Sequence, residues 1–330
     1  MRKLASIQRI KALEAIPDAD SIEKATVLGW ELVVKKGEFA VGDLCVYCEI
    51  DCLMPQREAF EFLKSRGMRI RTARLRGQIS QGICFPLTIL PADFQIQEDE
   101  DCTEVLGIVK YEPPIPASMA GVIKGNFPSF VPKTDETRVQ VLQTLLDEFK
   151  GEPCYIAEKL DGSSVTYYLR DGEFGVCSRN FDLEDNGNTY WTVARELDIE
   201  AKLRAYGKNI ALQGELVGEG IQSNKMKLRG QTVYFFNAFD IDAYRHLEFA
   251  ELRSFLSEMQ LLMVPVLNEN YALTNDISEL VSMATMRCTI YPAAWSEGIV
   301  IRPLTRKRHH LHGRVSFKAI NPEFLIKYGE

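Results

Sequence analysis

Glu158-Lys159-Leu160-Asp161-Gly162 lies between two segments that read as strands, with Cys154, Tyr155 and Ile156 before it and Val165, Tyr167 and Tyr168 after it. Such neighbours predict a buried lysine, and a buried ammonium is costly unless partners or a task retain it. With a reference pKa near 10.4, only about one lysine in two thousand is neutral at pH 7, a penalty of roughly 4 to 5 kcal/mol for a nucleophile. Burial and a nearby divalent cation both reduce that penalty, so a nucleophilic lysine is expected in the company of metal-binding carboxylates. Asp161 projects to the same side of an extended segment. Gly162 is expected to permit close approach of a ligand.

Working outward, two more carboxylates occur in apolar strand contexts beside glycine: Glu215 in Gln213-Gly214-Glu215-Leu216-Val217-Gly218, and Glu297 in Trp295-Ser296-Glu297-Gly298-Ile299-Val300-Ile301-Arg302. Unpaired acids there would be expensive. Lys318, in Val315-Ser316-Phe317-Lys318-Ala319-Ile320, is a second cation on a strand-like segment. Strands are predicted over residues 155–158, 164–169, 175–178, 210–216, 233–241, 298–302 and 314–319. Helices are predicted over 189–206, 247–260 and 276–286, with a further helical pattern from Val139 to Phe149. Their spacing is not that of repeated βαβ units, so the fold class is α+β with antiparallel sheets. Tyr234, Phe235 and Phe236 read as sheet core.

Upstream, short alternating segments over 25–28, 31–34, 44–50, 69–75 and 82–85, broken at turn signals, predict an OB-like β-barrel. Lys64, Arg66, Arg69, Arg71, Arg74 and Arg76 form a basic run without an acid. In a strand, Arg69 and Arg71 share one face, as do Arg74 and Arg76, which suits a phosphate backbone. Proline and glycine between 111 and 135 read as a linker. The expected division is therefore a barrel over 1–110, a linker over 111–135 and a second domain over 136–330.

The net charge of −7 and pI near 5.4 exclude a chain coated in basic charge, but not a local basic groove. No apolar run has the length of a membrane span and no secretory h-region opens the chain, so an intracellular, cytoplasmic protein with no membrane partner is expected. The eight cysteines then read as reduced thiols. Cys45 and Cys48 point to opposite faces of one strand, poor geometry for a shared metal. His309, His310 and His312 lie in a basic hairpin with no cysteine nearby, which argues against zinc. No Gly-x-x-x-x-Gly-Lys loop is present, which argues against a P-loop ATPase.

Taken together, Lys159-Leu160-Asp161-Gly162, Ser178-Arg179-Asn180, Glu215-Leu216-Val217-Gly218, Phe239-Asp240-Ile241, Glu297-Gly298-Ile299-Val300-Ile301-Arg302 and Phe317-Lys318 resemble the motif series of the covalent nucleotidyltransferases. With a barrel in front, the chain resembles the ATP-dependent RNA ligases of the Naegleria and Deinococcus type. The resemblance implies an antiparallel-sheet nucleotidyltransferase domain, ATP as the AMP donor, and Mg²⁺ or Mn²⁺. It implies a lysyl-AMP on Lys159, a metal held by Asp161, Glu215 and Glu297, and Lys318 on the α-phosphate. Arg179 would contact ribose or the RNA end, Arg138 a phosphate, Phe239 and Val300 the two faces of adenine, and Glu158 its exocyclic amine; Leu160 belongs to the same nucleotide-binding motif. The implied substrate is RNA or an RNA-containing nicked duplex, the implied task RNA repair, the protein acting as a monomer.

Two positions depart from the pattern. Ile320 stands where related ligases often carry a second lysine, and Ser163-Ser164 where some carry an asparagine. A capping guanylyltransferase or DNA ligase of the same superfamily is the nearest alternative, although both usually carry the barrel behind the catalytic domain. A non-catalytic RNA-binding protein on a ligase fold is the other.

Overall fold

The computed structural model describes residues 3–112 and 122–329. The chain divides into two units, Met1–Pro114 with Pro322–Glu330, and Ile115–Asn321.

The first unit is built on a five-stranded antiparallel sheet in the order Trp30–Lys35, Ile22–Val27, Ala5–Ala15, Leu44–Cys48, Ile83–Phe85. The sheet nearly closes on itself: Val33 N–H donates to Ser80 Oγ at 3.0 Å and Gln81 N–H to Glu31 O at 2.8 Å. Ile7, Ile10, Val27, Trp30, Leu32, Val46 and Phe60 fill the interior. This is the expected OB-like barrel, but its central strand, Ala5–Ala15, is missing from the sequence expectation. Being central, it buries Ser6 and Gln8 as well as Ile7 and Ile10, and its register shifts between Ile10 and Ala12, so simple alternation is lost. All eight cysteines are buried and free, as expected.

The basic run is split between a helix and a short strand, and the strand predicted over 69–75 is largely absent. Lys64 and Arg66 lie on a 3₁₀ helix, Glu58–Arg66, and only Ala73–Leu75 of the 69–75 segment is a strand, paired with Gln78–Ser80. Arg69 is paired with Asp51 at 2.6 Å and lies over the Tyr111 ring. Arg71 donates to the Gly329 carbonyl at 3.3 Å, and Arg74 pairs with Glu323. Arg76 sits in the turn with left-handed backbone, φ 48°. The last helix, Pro322–Tyr328, thus goes with the barrel's unit, whereas the sequence division counted it with the second domain.

The second unit holds two larger sheets among the described residues, one of seven strands and one of five, antiparallel except for the pairing of Thr137–Arg138 with Phe317–Ile320. Helices Thr189–Glu196, Ile199–Tyr206 and Phe249–Glu258 pack on one face of the seven-stranded sheet, around Val165, Tyr167, Leu212 and Phe235. Helices Gln143–Glu148 and Ile277–Ala284 pack on the outer face of the other, around Ile156, Ile299, Ile301 and Phe317. The inner faces share a cluster containing Tyr155, Ala157, Leu160 and Val217. The helix expected over 189–206 is two helices, because Asp198 takes a left-handed conformation, φ 51°.

Of the expected linker, Pro113 to Gly121 lies outside the described residues. The remainder is structured: Ile123–Asn126 pairs as an edge strand with Phe181–Leu183, and Phe127, Phe130 and Val131 pack with Tyr168 and Phe239. Alternation is too short there to signal a strand, and its glycine and proline content reads as linker, yet the three apolar residues anchor it.

Candidate active site

Strand Pro153–Lys159 delivers Lys159 to the inner face of the five-stranded sheet, where its register partner is Gly298. Lys159 Nζ donates to Glu297 Oε2 at 2.5 Å, the two side chains being 23% and 17% exposed. Gly298, beside Glu297, lets the neighbouring strand Phe317–Ile320 approach closely. Its φ is 153°, and a Cβ there would lie 2.2 Å from the Ala319 carbonyl oxygen.

Glu215 comes from the seven-stranded sheet, opposite Ser164. Gly162 carries the chain from the lysine strand into this second sheet, and a Cβ on it would lie 2.4 Å from Leu216 O and 2.9 Å from Glu215 Cγ. The glycine makes room for the protein's own strand, and by doing so holds Asp161 near Glu215.

Electrostatics follow from this crowding. Burial pulls the Lys159 amine down, but Glu297 and Glu215 outweigh it, so the ammonium form is favoured. Burial pushes Glu215 up to about 8, with Glu297 and Asp161 adding to the rise against the opposing pull of Lys159. Burial takes Lys318 down to about 7, helped by Lys159 and Arg138. Strand Thr137–Arg138 runs beside Phe317–Ile320 with Arg138 opposite Lys318, so two cations stand on adjacent strands. Such a pair suits phosphate oxygens. Asp161, Glu215 and Glu297 offer hard oxygen donors of the kind that hold Mg²⁺ or Mn²⁺. A divalent cation would also relieve the repulsion that raises Glu215, so the residues present fit the ion that the sequence implied.

The other predicted residues fall as follows. Arg179 is exposed and paired with Asp135. Val300 lies between Ala157 and Lys318 in register, half-buried on the inner face. Phe239 is 2% exposed, with Tyr244 and His246 against its ring and Tyr168 and Ala211 in its cluster. An enclosed ring is a poor platform for a base. Phe236, read from the sequence as core, keeps partial exposure and packs against the cluster that holds Ala157, with the Arg302 guanidinium 5.7 Å from its ring. A register shift between Gln213 and Gly214 puts both Phe236 and Asn237 off the helix-packed face. Glu158 is buried and accepts from Thr289, from N–H at 3.1 Å and from the hydroxyl. Leu160 is core. Ser164 Oγ is 2.8 Å from Thr134 Oγ1, and Ile320 is buried.

Sequence reasoning passed over Lys225, whose Nζ lies 2.7 Å from Asp161 Oδ2. It sits in a loop without periodicity, and its one signal is that this loop directly follows the Glu215 strand. His309 is a buried structural residue: its Nδ1 accepts from Leu311 and His312 N–H, which leaves Nε2 as the donor to Glu148 at 3.3 Å. His309, His310 and Glu148 lie close enough to one another for their ligand atoms to share an ion.

Known proteins share this arrangement. An OB-fold domain family matches residues 4–87, and the RNA ligase family matches residues 152–320. No curated protein matches the chain. Among solved structures, a Naegleria gruberi RNA ligase variant with AMP and Mn is 38% identical over 98% of both chains, TM-score 0.90. A second variant of that ligase, with ATP and Mn, is 38% identical over the whole of both chains, TM-score 0.90. The same ligase with PPi is 38% identical over 98% of both chains, TM-score 0.89.

Proposed function

Since this chain belongs to the RNA ligase family and is an ATP-dependent RNA ligase that takes AMP from ATP with a divalent metal, we propose that it seals nicks in duplex RNA or RNA–DNA hybrid, with Lys159 as the nucleophile. The observation that carries this reading is the meeting of Lys159, Glu297, Glu215 and Asp161 between two sheets, with Lys318 and Arg138 on adjacent strands beside them.

In the first step the Lys159 amine attacks the α-phosphorus of ATP, an N–P bond forms, and the bond to the β-phosphate oxygen breaks to release pyrophosphate. Glu297 and Glu215 hold Lys159 as an ammonium, so the amine must lose a proton before attack. A divalent cation held by Asp161, Glu215 and Glu297 supplies positive charge that offsets those acids and screens the phosphates. Lys318 and Arg138 neutralise phosphate charge as pyrophosphate leaves. Adenine lies between Val300 and an aromatic of the Gln231–Asp240 strand, and Phe236 is favoured over Phe239 because it retains exposure on the inner face. Glu158, fixed by Thr289, accepts from the exocyclic amine.

AMP then passes to a 5′-phosphate, and a 3′-OH attacks that end with AMP as the leaving group. Arg179 contacts the ribose or the RNA end, and Arg71, Arg74 and Arg76, exposed on the barrel, meet the phosphate backbone; Arg69, held by Asp51, does so less directly. RNA repair by a cytoplasmic monomer is the task this describes.

Labelling with α-labelled ATP tests the nucleophile: Lys159→Ala abolishes the covalent label, and a label retained in that variant sinks the assignment. Sealing of nicks whose 3′-OH and 5′-phosphate strands are varied between RNA and DNA tests the substrate. Equal sealing of all-DNA nicks would overturn the RNA preference.

A further inference from the structure

Two partly buried ion pairs lie in the site: Lys159 with Glu297, and Lys225 with Asp161. The first joins the nucleophile to a carboxylate. The second has no counterpart among the sequence motifs, and its two side chains are only 10% and 11% exposed.

The segment that carries Lys225 is built to hold it there. It joins strands Ile210–Gly218 and Gln231–Asp240, and Gln222, Ser223 and Asn224 in succession take left-handed backbone, φ 42°, 59° and 43°, followed by Lys227 at 54°. Non-glycine residues adopt this conformation only where their surroundings impose it, and such positions gather at functional sites. Two devices impose it here. Asn224 bridges to Leu228 in both directions, its amide donating to the carbonyl at 2.8 Å and its Oδ1 accepting from the N–H at 3.0 Å. Met226, 6% exposed, is buried in the cluster that holds Leu160 and Val217. Lys225 lies between these two anchors and is aimed at Asp161.

We propose that Lys225 is a tethered counter-ion that competes with the divalent cation for Asp161, so that the cation binds weakly to the free enzyme and well only with the nucleotide polyphosphate, whose charge takes up the displaced ammonium. An ammonium and a hydrated divalent ion both seek the same hard oxygens, and a fixed positive charge in contact with Asp161 repels a second one in a site of low dielectric. Lys225 is thereby a positioning residue for the metal rather than a participant in bond making. The inference rests on reading Asp161 as a metal-binding carboxylate.

Binding of Mn²⁺ alone to the nucleotide-free full chain, followed by electron paramagnetic resonance of the free ion, tests it. Lys225→Met is expected to bind Mn²⁺ at least roughly tenfold more tightly than the unaltered protein, since one unit charge is removed from contact with a ligand carboxylate. Lys225→Arg, which keeps the charge, is expected to stay within about twofold of it. Unchanged or weaker binding by Lys225→Met overturns the proposal, as does tight binding by Lys225→Arg, which would show that charge is not the determinant. Asp161→Asn separates the two levels of the argument. If it weakens Mn²⁺ binding while Lys225→Met changes nothing, the metal reading stands and the counter-ion falls; if it leaves Mn²⁺ binding unchanged, both fall.

Discussion

At the level of single residues, the site crowds several carboxylates and amines together, and Glu215 records this most clearly. Burial, with Glu297 and Asp161 beside it, lifts its pKa to about 8 from an ordinary value of 4.5. Below pH 4.5 the carboxyl is protonated in folded and unfolded chains alike. Between 4.5 and 8 only the folded chain keeps the proton, so this residue's contribution to stability is lost as pH rises through about 8. Urea unfolding in the presence of a chelator should therefore show the metal-free protein less stable at pH 8 than at pH 5. Glu215→Gln should remove part of that slope, roughly 1 to 3 kcal/mol, and should abolish adenylylation. An unaltered slope in this variant would place the strain on another group. Glu215 and Glu297 were legible because an acid beside glycine in an apolar strand is costly to bury unless a cation meets it there. Lys225 was not, since its meaning depends on a loop conformation that no periodicity encodes.

Among the elements, the strands around the lysine were the easiest to read, because one face packs on helices and the other on the site, which leaves a regular pattern from Tyr155 to Lys159 and from Ser164 to Leu169. Ala5–Ala15 defeated the same rule by burying polar and apolar residues together. Phe236 keeps an exposure that the sequence did not suggest, and Phe239 is enclosed, because Gln231–Asp240 bulges at Phe236: the two steps from Phe235 to Asn237 face the single step from Gly214 to Gln213, which simple alternation does not reveal. Gly162 is the position where element packing and chemistry meet. Gly162→Ala would drive a Cβ against the Leu216 carbonyl oxygen and Glu215 Cγ, so the turn after Lys159 must move away from the Glu215 strand. The expected cost is about 1 to 3 kcal/mol of stability in a denaturant titration. The rate of lysyl-AMP formation should fall as well, measured by single-turnover labelling. A variant as stable and as active as the parent would show that the two sheets can be separated without consequence.

For the molecule as a whole, the order of motifs announced a barrel followed by a catalytic domain, and both are present, but the chain's last turn of organisation was hidden. Pro322–Tyr328 follows the Lys318 strand in sequence and returns to the barrel's unit, where Glu323 meets Arg74 across 249 positions. A contact of that range leaves no local trace, and the basic run that looked like a nucleic-acid track is partly spent on it. The anchoring of this helix does not rest mainly on the ion pair: Arg74 and Glu323 are 39% and 32% exposed, and a surface pair of that kind contributes about 1 kcal/mol or less. Phe324 and Leu325 are buried, and loss of such side chains costs about 3 to 5 kcal/mol for the phenylalanine and 2 to 5 for the leucine. Removal of residues 322–330 should therefore lower the thermal midpoint of the barrel's unit by well over the effect of Arg74→Ala, which calorimetry of the two variants would measure side by side. Since Lys159, Asp161, Glu215, Glu297 and Lys318 all lie before the truncation, labelling of Lys159 by ATP should survive below the shifted transition. Equal midpoints for the two variants would mean that the arginine, and not the apolar pair, holds the helix in place.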